Sequence, residues 1–290
     1  MAYPINAIVI DLSHWDSASD YNAVKNDGIY GCIYKATEGT SYTDPTYVGQ
    51  QHAAKAAGLR WGAYHFADSS DVNKQIDNFM RFASPDPDEL FGLDWEDNGG
   101  DTMSLNDVKT WITQVENQLG REGQCVLYSG NTAKEKLGDN VDTFLGARRL
   151  WLCQYGSTPS WQKSWNKFWL WQYTDGQKGP SPHSVDGVGN CDISSYGNTA
   201  NQLVAEWATG SAPPSPPPPP PGTQPVTVSA LPSPPPPGTQ PVTVLFAAPA
   251  GVTVKARQFT PGVFERRNSR PDRAIEGGIR KKKSRVRNKR

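Results

Sequence analysis

The chain is poor in the residues that mark several common classes of protein. It has four cysteines and four histidines in 290 residues, without a C-x-x-C or H-E-x-x-H pattern. It also lacks a run of about 18 apolar residues that would span a membrane, a G-x-S-x-G motif and a phosphate-binding glycine-rich loop. We therefore expect reduced, buried thiols, no metal ion, no cofactor and no membrane-spanning segment.

The formal net charge of zero hides two parts of opposite sign. Residues 1–250 carry 15 Lys and Arg against 26 Asp and Glu, whereas residues 251–290 carry 14 against three. From Ser211 onward the composition becomes proline-rich, and PPPPGTQPVTV occurs twice. Such runs favour extended polyproline II without a core. We predict a folded domain over residues 1–210, a proline-rich linker over 211–250 and a basic, disordered tail over 251–290.

Eight strand-like segments follow one another through the first 200 residues, and several are apolar almost throughout, which is typical of a parallel sheet buried on both faces. They are Ala7–Leu12, Gly31–Ala36, Arg60–Phe66, Leu90–Glu96, Gln124–Ser129, Arg149–Gln154, Phe168–Tyr173 and Gly189–Ile193.

Helical signals lie mainly between the earlier segments. Asp44-Pro45 resembles a helix start that Gly58 ends, residues 71–83 show helical periodicity, and Ser104 with Asp107 resembles a capping box before a helix that ends at Gly120. The gaps 155–167 and 175–188 show none, and a last helix is expected over 200–208. The pattern predicts an α/β fold, a flattened, irregular (β/α) barrel with helices depleted in its second half.

Four carboxylates stand at the predicted strand ends, where β/α barrels carry their chemistry. Asp11 closes the first strand, Asp94 and Glu96 the fourth, and Asp192 the last. Alternation of side chains points Asp94 and Glu96 the same way and Trp95 the opposite way. Two neighbouring acids repel when both are ionised, so one retains its proton near neutral pH, as cleavage of a glycosidic bond requires.

Aromatic side chains accumulate near the same strand ends, and rings beside a carboxylate cleft suit the apolar faces of sugars. The candidate substrate-binding residues are Tyr64, Trp95, Tyr128, Trp151, Trp171 and Tyr173. Packing in the barrel core is the alternative for each ring. Lys35 and Glu38 are expected to form an ion pair that supports the site.

Several motifs resemble glycoside hydrolase family 25, the muramidases of the Chalaropsis type. The matching pieces are Ile10-Asp11-Leu12-Ser13, Tyr34-Lys35-Ala36-Thr37-Glu38-Gly39, Asp44-Pro45, Gly62-Ala63-Tyr64-His65-Phe66, Asp94-Trp95-Glu96, Tyr128-Ser129, Trp171-Gln172-Tyr173, and Val185-Asp186-Gly187 through Asp192. The match covers Ile8 to Tyr196. One local departure is Asp192-Ile193-Ser194-Ser195-Tyr196, where the family usually has an asparagine and then an aromatic.

The resemblance implies hydrolysis of the β-1,4 bond between N-acetylmuramic acid and N-acetylglucosamine in peptidoglycan. It implies that Glu96 is the general acid/base, that Asp94 is its charged partner, and that Asp11 and Asp192 complete the catalytic carboxylates. The stereochemical route stays open between substrate assistance, a covalent intermediate and inversion. The alternatives are a catalytically weak cell-wall-binding protein and another β-glycosidase such as a chitinase, whose D-x-x-D-x-D-x-E signature is absent.

The remaining expectations concern partners and location. The basic tail suits anionic cell-wall polymers or lipopolysaccharide, with nucleic acid as an alternative partner. The N-terminus shows no signal-peptide pattern. We expect a monomer and either a phage endolysin that leaves the host cytoplasm for the cell wall or an enzyme that becomes extracellular after lysis.

Overall fold

An eight-stranded barrel forms the centre of residues 3–209, the part of the chain that the computed structural model describes. The predicted linker (211–250) and tail (251–290) lie outside the described residues. The strands are β1 (Ala7–Leu12), β2 (Gly31–Glu38), β3 (Tyr42–Thr43), β4 (Arg60–Phe66), β5 (Leu90–Asp94), β6 (Val126–Ser129), β7 (Arg149–Cys153), β8 (Leu170–Asp175), β9 (Ser184–Val185), β10 (Gly189–Asn190) and β11 (Asp192–Tyr196). The helices are α1 (Tyr21–Asn26), α2 (Tyr47–Ala57), α3 (Val72–Phe82), α4 (Leu105–Leu119), α5 (Asn131–Leu137), α6 (Thr143–Gly146) and α7 (Ala200–Glu206).

The barrel strands follow the order β1-β2-β4-β5-β6-β7-β8-β11, and β11 closes the circle against β1. Neighbouring strands from β1 to β8 run parallel, whereas β11 is antiparallel to both of its neighbours. No helix forms between β7 and α7 in this described segment. The predicted α/β barrel with a helix-poor second half is therefore confirmed. None of the helices within residues 3–209 is long and apolar enough to cross a membrane.

The last barrel strand differs from the prediction. Gly189 and Asn190 pair with β9 in a separate two-stranded ribbon, and the barrel strand begins at Asp192 instead of ending there. The prediction assumed a parallel strand that ends in its acid. Because β11 is antiparallel, its first residue lies at the same barrel end as the last residues of the parallel strands, and Asp192 is the register partner of Asp11.

The predicted helix signals are mostly confirmed. Ser104 caps α4 by accepting from the Asp107 amide, and Gly120 ends α4 in the left-handed conformation. The start of α2 was predicted wrongly, since the helix begins two residues beyond Pro45. The Asp44 carboxylate accepts hydrogen bonds from the Thr46 amide, just before the helix, and from the His14 amide, each at 2.9 Å. The last helix ends at Glu206, two residues before the predicted end.

Strand alternation divides the apolar residues into two buried clusters. The larger cluster fills the space between the strands and the surrounding helices, and includes Phe91, Leu93 and Trp95 of one segment. The smaller cluster includes the alternate position Leu90, with Val9, Ile33, Val126 and Leu170 from other strands, and it ends on α7. Along each strand, the residues that alternate with members of the larger cluster therefore point their side chains into the barrel.

Trp207, just after α7, closes the end of the barrel opposite the strand carboxyl ends. Its indole donates to the Trp61 carbonyl at 2.7 Å, and its side chain is 1% exposed. A Cβ at Gly31 would lie 2.4 Å from its ring, so the ring packs directly on the β2 backbone. This end of the barrel is thus filled by packing, which leaves the other end for a site.

We expect Trp207→Ala to lower the free energy of unfolding by about 3–5 kcal/mol, because it removes a large buried ring and leaves a cavity. The control is Tyr30→Ala, which removes an aromatic that is 44% exposed at the same barrel end and should cost less than about 0.5 kcal/mol. Urea denaturation of both variants measures the difference. Equal effects would contradict the packing role.

Candidate active site

Four carboxylates line one cavity of about 160 Å³ at the mouth of the barrel. Asp11 lies in β1, Asp94 ends β5, Glu96 follows two residues later, and Asp192 begins β11. Asp11 and Asp94 are buried, at 5% and 6% exposure, and the other two are partly buried. The structure thus brings together all four acids that the sequence analysis selected.

Gln172 of β8 holds Asp11 in one orientation. Its Nε2 donates to Asp11 Oδ1 at 2.8 Å, and its Oε1 accepts from the hydroxyls of Tyr128 and Tyr155 at 2.8 and 3.0 Å. Two phenol donors on the amide oxygen determine which end of the amide faces Asp11. Oδ2 of Asp11 is buried without a hydrogen-bond partner in the described structure, so it can accept from a bound molecule.

Asp94 and Glu96 form a crowded pair of acids. Burial raises the pKa of Asp94 well above its ordinary value, and the charge of Glu96 raises it further. Burial also raises the pKa of Glu96, although Lys35 acts in the opposite direction. The pair therefore retains a proton at a pH where ordinary acids have lost theirs. The deeper burial of Asp94 favours placing that proton on Asp94 in the free protein, whereas the family resemblance gives the donor role to Glu96.

Asp192 is a further acid whose pKa is raised. Burial raises its pKa to about 7, and the charges of Asp16, Asp175 and Glu96 contribute in the same direction. The pKa of Asp11 is also raised, by burial first and then by the charge of Asp192. Burial and mutual repulsion thus disfavour ionisation of these acids, and a positive charge in the cavity favours their ionised forms.

Lys35 is a cation at the edge of this acidic cavity. It lines the cavity, forms an ion pair with Glu38, and lies over the ring of Phe66 with Nζ 4.6 Å from the ring centroid. The ion pair with Glu38 confirms the sequence prediction. Because Lys35 lowers the pKa of both Asp94 and Glu96, it limits how strongly the pair holds its proton.

The six predicted substrate-binding aromatics separate into two groups of three. Tyr64, Tyr128 and Trp151 line the carboxylate cavity. Trp95, Trp171 and Tyr173 are fully buried and belong to the cluster outside the barrel.

Strand alternation explains this separation. Trp171 and Tyr173 flank Gln172, so they point away from the barrel interior when Gln172 points into it. Their polar atoms are already used, since the Trp171 indole donates to the Gln154 carbonyl and the Tyr173 hydroxyl to that of Pro182. The structure gives these rings a packing position instead of one in the cleft.

A second, wider groove lies on the other side of Glu96. It has a volume of about 600 Å³ and shares Glu96 with the carboxylate cavity. Its other lining residues are Asp97, Gly130, Asn131, Thr132, Cys153, Gln154, Tyr155 and Lys178. Glu96 therefore stands between two spaces, as an acid must when it protonates an atom that joins two bound units.

The described residues hold no group of three or more His, Cys, Asp or Glu side chains arranged to bind a metal ion. The four cysteines are unpaired, with three buried and Cys153 partly exposed. His65 is fully buried beside Gln75 and Thr37, and burial lowers its pKa to about 4. His65 and the three buried cysteines therefore lie in the packed interior, whereas Cys153 lines the groove beside Glu96.

Three residues that line these two spaces were missed by the sequence analysis. Gln172 is a polar residue inside an otherwise apolar strand, and alternation from Leu170 would have pointed it into the barrel. Trp15 lines the cavity from the loop after β1, and it was not selected as a binding residue. No strand or helix pattern in the sequence indicated Tyr155, which lines the groove, because this residue lies in irregular structure after β7.

A raised-pKa acid pair and further carboxylates at the mouth of a β/α barrel are the equipment of a glycoside hydrolase. The family model for glycosyl hydrolases family 25 matches residues 10–181. The chain belongs to this family, which confirms the resemblance seen in its motifs.

Individual relatives agree with the family assignment. The autolytic lysozyme of Clostridium acetobutylicum is 30% identical over 192 residues, which cover 64% of this chain and 55% of that protein. The N,O-diacetylmuramidase of Chalaropsis is 28% identical over 184 residues, covering 57% and 86%. The crystal structure of a bacterial lysozyme from Streptomyces coelicolor superposes with a TM-score of 0.60 at 27% identity, covering 71% of this chain and 99% of that one. This chain thus spans little more than half the length of the clostridial lysozyme.

The raised pKa of Asp192 predicts a pH-dependent effect on stability. Because its folded pKa is about 7 against an ordinary value of 3.8, the folded state binds more protons than the unfolded state between these values. The contribution of Asp192 to stability therefore falls as the pH rises from 4 to 7. Relative to wild type, the free energy of unfolding of Asp192→Asn should rise by on the order of 2 kcal/mol over this range.

Urea denaturation at several pH values measures this effect. Ser195→Ala is the control, because it changes the same strand without removing an ionisable group, so its difference from wild type should not vary with pH. A constant or falling difference for Asp192→Asn would contradict the raised pKa.

Proposed function

We propose that the protein is a lysozyme that hydrolyses the β-1,4 bond between N-acetylmuramic acid and N-acetylglucosamine in bacterial peptidoglycan. The observation that carries this proposal is the convergence of four carboxylates on one cavity, with a groove on the other side of Glu96. The names of the relatives, lysozyme and N,O-diacetylmuramidase, support the same substrate class.

The two spaces beside Glu96 correspond to the two sides of the scissile bond. A positive charge develops on the sugar that keeps the anomeric carbon, and negative side chains stabilise it there. That sugar therefore occupies the cavity lined by Asp11, Asp94 and Asp192, and the departing sugar occupies the groove. Glu96 protonates the oxygen between them.

Substrate binding supplies a reason for the proton to reside on Glu96 during the reaction. Asp94 Oδ1 is buried without a hydrogen-bond partner in the described structure. An acetamido N–H of the substrate that donates to this oxygen favours the ionised form of Asp94. The proton of the pair then belongs to Glu96, which faces the leaving oxygen as general acid.

A catalytically weak wall-binding protein is the less favoured alternative, because it does not need a pair of acids with raised pKa values. A chitinase is also less favoured, since the chain belongs to glycosyl hydrolases family 25.

Glu96→Gln should reduce kcat on purified peptidoglycan by about 10²- to 10⁴-fold, because it removes the proton donor while keeping the side-chain shape. The control is Glu122→Gln, the same substitution at an exposed turn residue, which should keep wild-type activity. Release of reducing ends measures kcat, and the wild-type enzyme should release N-acetylmuramic acid as the new reducing-end sugar.

Circular dichroism and the urea midpoint show whether Glu96→Gln remains folded. A well-folded Glu96→Gln variant with full activity would refute the role of Glu96. N-acetylglucosamine at the new reducing end would instead refute the choice of bond.

We further propose that residues 251–290 attract the enzyme to anionic polymers of the cell envelope, such as wall-associated polymers or lipopolysaccharide. The support is their charge, 14 basic against three acidic residues. Attachment of such a segment to a catalytic domain raises the local enzyme concentration without new contacts in the active site. Monomeric state and release from the host cytoplasm to the cell wall stay predictions from the sequence.

Deletion of Lys255–Arg290 should weaken binding to isolated cell walls about tenfold or more at low salt, and should flatten its salt dependence. Sedimentation of the full chain and the deletion variant with walls over a range of NaCl concentrations measures both. An unchanged salt slope would rule out the electrostatic role. Competition by DNA at a lower phosphate concentration than by wall polymers would indicate nucleic acid as the partner.

A further inference from the structure

Trp15 is by far the most exposed of the ten tryptophans in the chain. Its exposure is 85%, whereas eight others are buried and Trp161 is partly buried. It also lines the cavity that contains the four carboxylates. A large apolar ring in water at the edge of an active site is a candidate contact for a ligand.

The loop that carries Trp15 is closed by its own hydrogen bonds. The Ser13 amide donates to Asp16 Oδ1 at 2.8 Å, the Asp16 amide donates to the Ser13 carbonyl at 3.2 Å, and the Ser17 hydroxyl donates to the same carbonyl at 3.1 Å. A turn that is already ordered loses little conformational entropy when a ligand binds. The loop therefore presents Trp15 in a preorganised position.

The imidazole ring of His14 packs against the indole of Trp15. The two ring centroids are 4.4 Å apart, with an angle of 40° between the ring planes. The amide of His14 donates to Asp44 Oδ2 at 2.9 Å, and its Nδ1 lies 3.0 Å from the same oxygen. Asp44 is buried, and although burial acts to raise its pKa, hydrogen bonds from Thr46 and His14 lower it. A buried, ionised carboxylate thus anchors the residue on which Trp15 packs.

The position of Trp15 relative to Glu96 assigns it to one side of the scissile bond. Trp15 lines the cavity with the carboxylates, whereas the groove on the other side of Glu96 is lined by a separate set that includes Asn131 and Tyr155. In the proposed reaction the cavity takes the sugar that keeps the anomeric carbon. A strand that continues past this cavity beside Trp15 therefore extends toward its non-reducing end.

We propose that Trp15 stacks on a pyranose unit of the glycan strand on the non-reducing side of the scissile bond, and so makes the enzyme favour strands that extend there. The proposal rests on the proposed lysozyme function and deepens it. Pyranose rings present C–H groups on one face, and an indole offers the largest aromatic surface for such a contact. The contact is made equally in the ground state and the transition state, so it acts on binding.

The first experiment compares two soluble peptidoglycan fragments that share the scissile bond and differ by one disaccharide at the non-reducing end. Wild type should cleave the longer fragment with a higher kcat/KM. Trp15→Ala should lower kcat/KM for the longer fragment roughly 5- to 20-fold, through KM, and leave the shorter fragment almost unchanged. Trp15→Phe should recover part of the loss. Tyr30→Ala, an exposed aromatic at the opposite barrel end, is the control without effect.

The second experiment measures binding without catalysis, in the full chain that carries Glu96→Gln. Iodide quenching of tryptophan fluorescence should report mainly on Trp15, because eight of the other tryptophans are buried. The longer fragment should protect this fluorescence, and adding Trp15→Phe should remove the quenchable part. The dissociation constant of the longer fragment, from calorimetry, should rise roughly 5- to 20-fold with Trp15→Ala.

The outcomes separate this proposal from the proposed function. Equal dissociation constants with and without the Trp15 side chain would overturn the proposal, as would a loss that appears for fragments extended at the reducing end. A fall in kcat alone would overturn it too, because stacking acts on KM. If wild type binds the fragments through Trp15 but cleaves neither, the proposed function fails while the binding site stands.

Discussion

The structure depends on the burial of several acids in one small space. Asp11, Asp94, Glu96 and Asp192 line the same cavity, and burial raises the pKa of each. Isolated in water these groups would be ionised at neutral pH and could not donate protons. Because the acids are buried and lie close together, at least one of them retains a proton, and its ionised neighbours create a negative field around that proton. Both properties come from the same crowding, and the proposed cleavage of a glycosidic bond requires both.

The packing of Trp207 and the four carboxylates lie at opposite ends of the barrel. Trp207 fills one end and packs on Gly31, while the carboxylates occupy the other. The antiparallel last strand contributes to this division, because it brings Asp192 into register with Asp11 at the mouth. Gln172, held by two tyrosine hydroxyls, uses one oxygen of Asp11 and leaves the other free. The cost of crowding the acids is thus offset by hydrogen bonds and packing elsewhere in the barrel.

Much of this arrangement could be predicted from the sequence, since apolar runs that end in acids define both the strands and the site. Alternation along Leu90–Glu96 correctly separated Asp94 from Trp95. Alternation also places Trp95, Trp171 and Tyr173 outside the barrel, where they pack, although all three were expected in the cleft. The direction of the last strand could not be predicted, because β11 pairs with β1 and β8, whose residues are distant from Asp192 in the sequence. Local sequence also could not show that Asp44 accepts from the His14 amide as well as from the Thr46 amide just before α2.

The most direct test of the central claim is the protonation of the acid pair itself. Infrared difference spectra between wild type and the Asp94→Asn/Glu96→Gln double variant isolate the carbonyl stretch of protonated carboxyl groups that belong to this pair. With both pKa values raised by burial, this band should persist in wild type up to near-neutral pH. Complete loss of the band below about pH 5, as for ordinary carboxylic acids, would contradict the account.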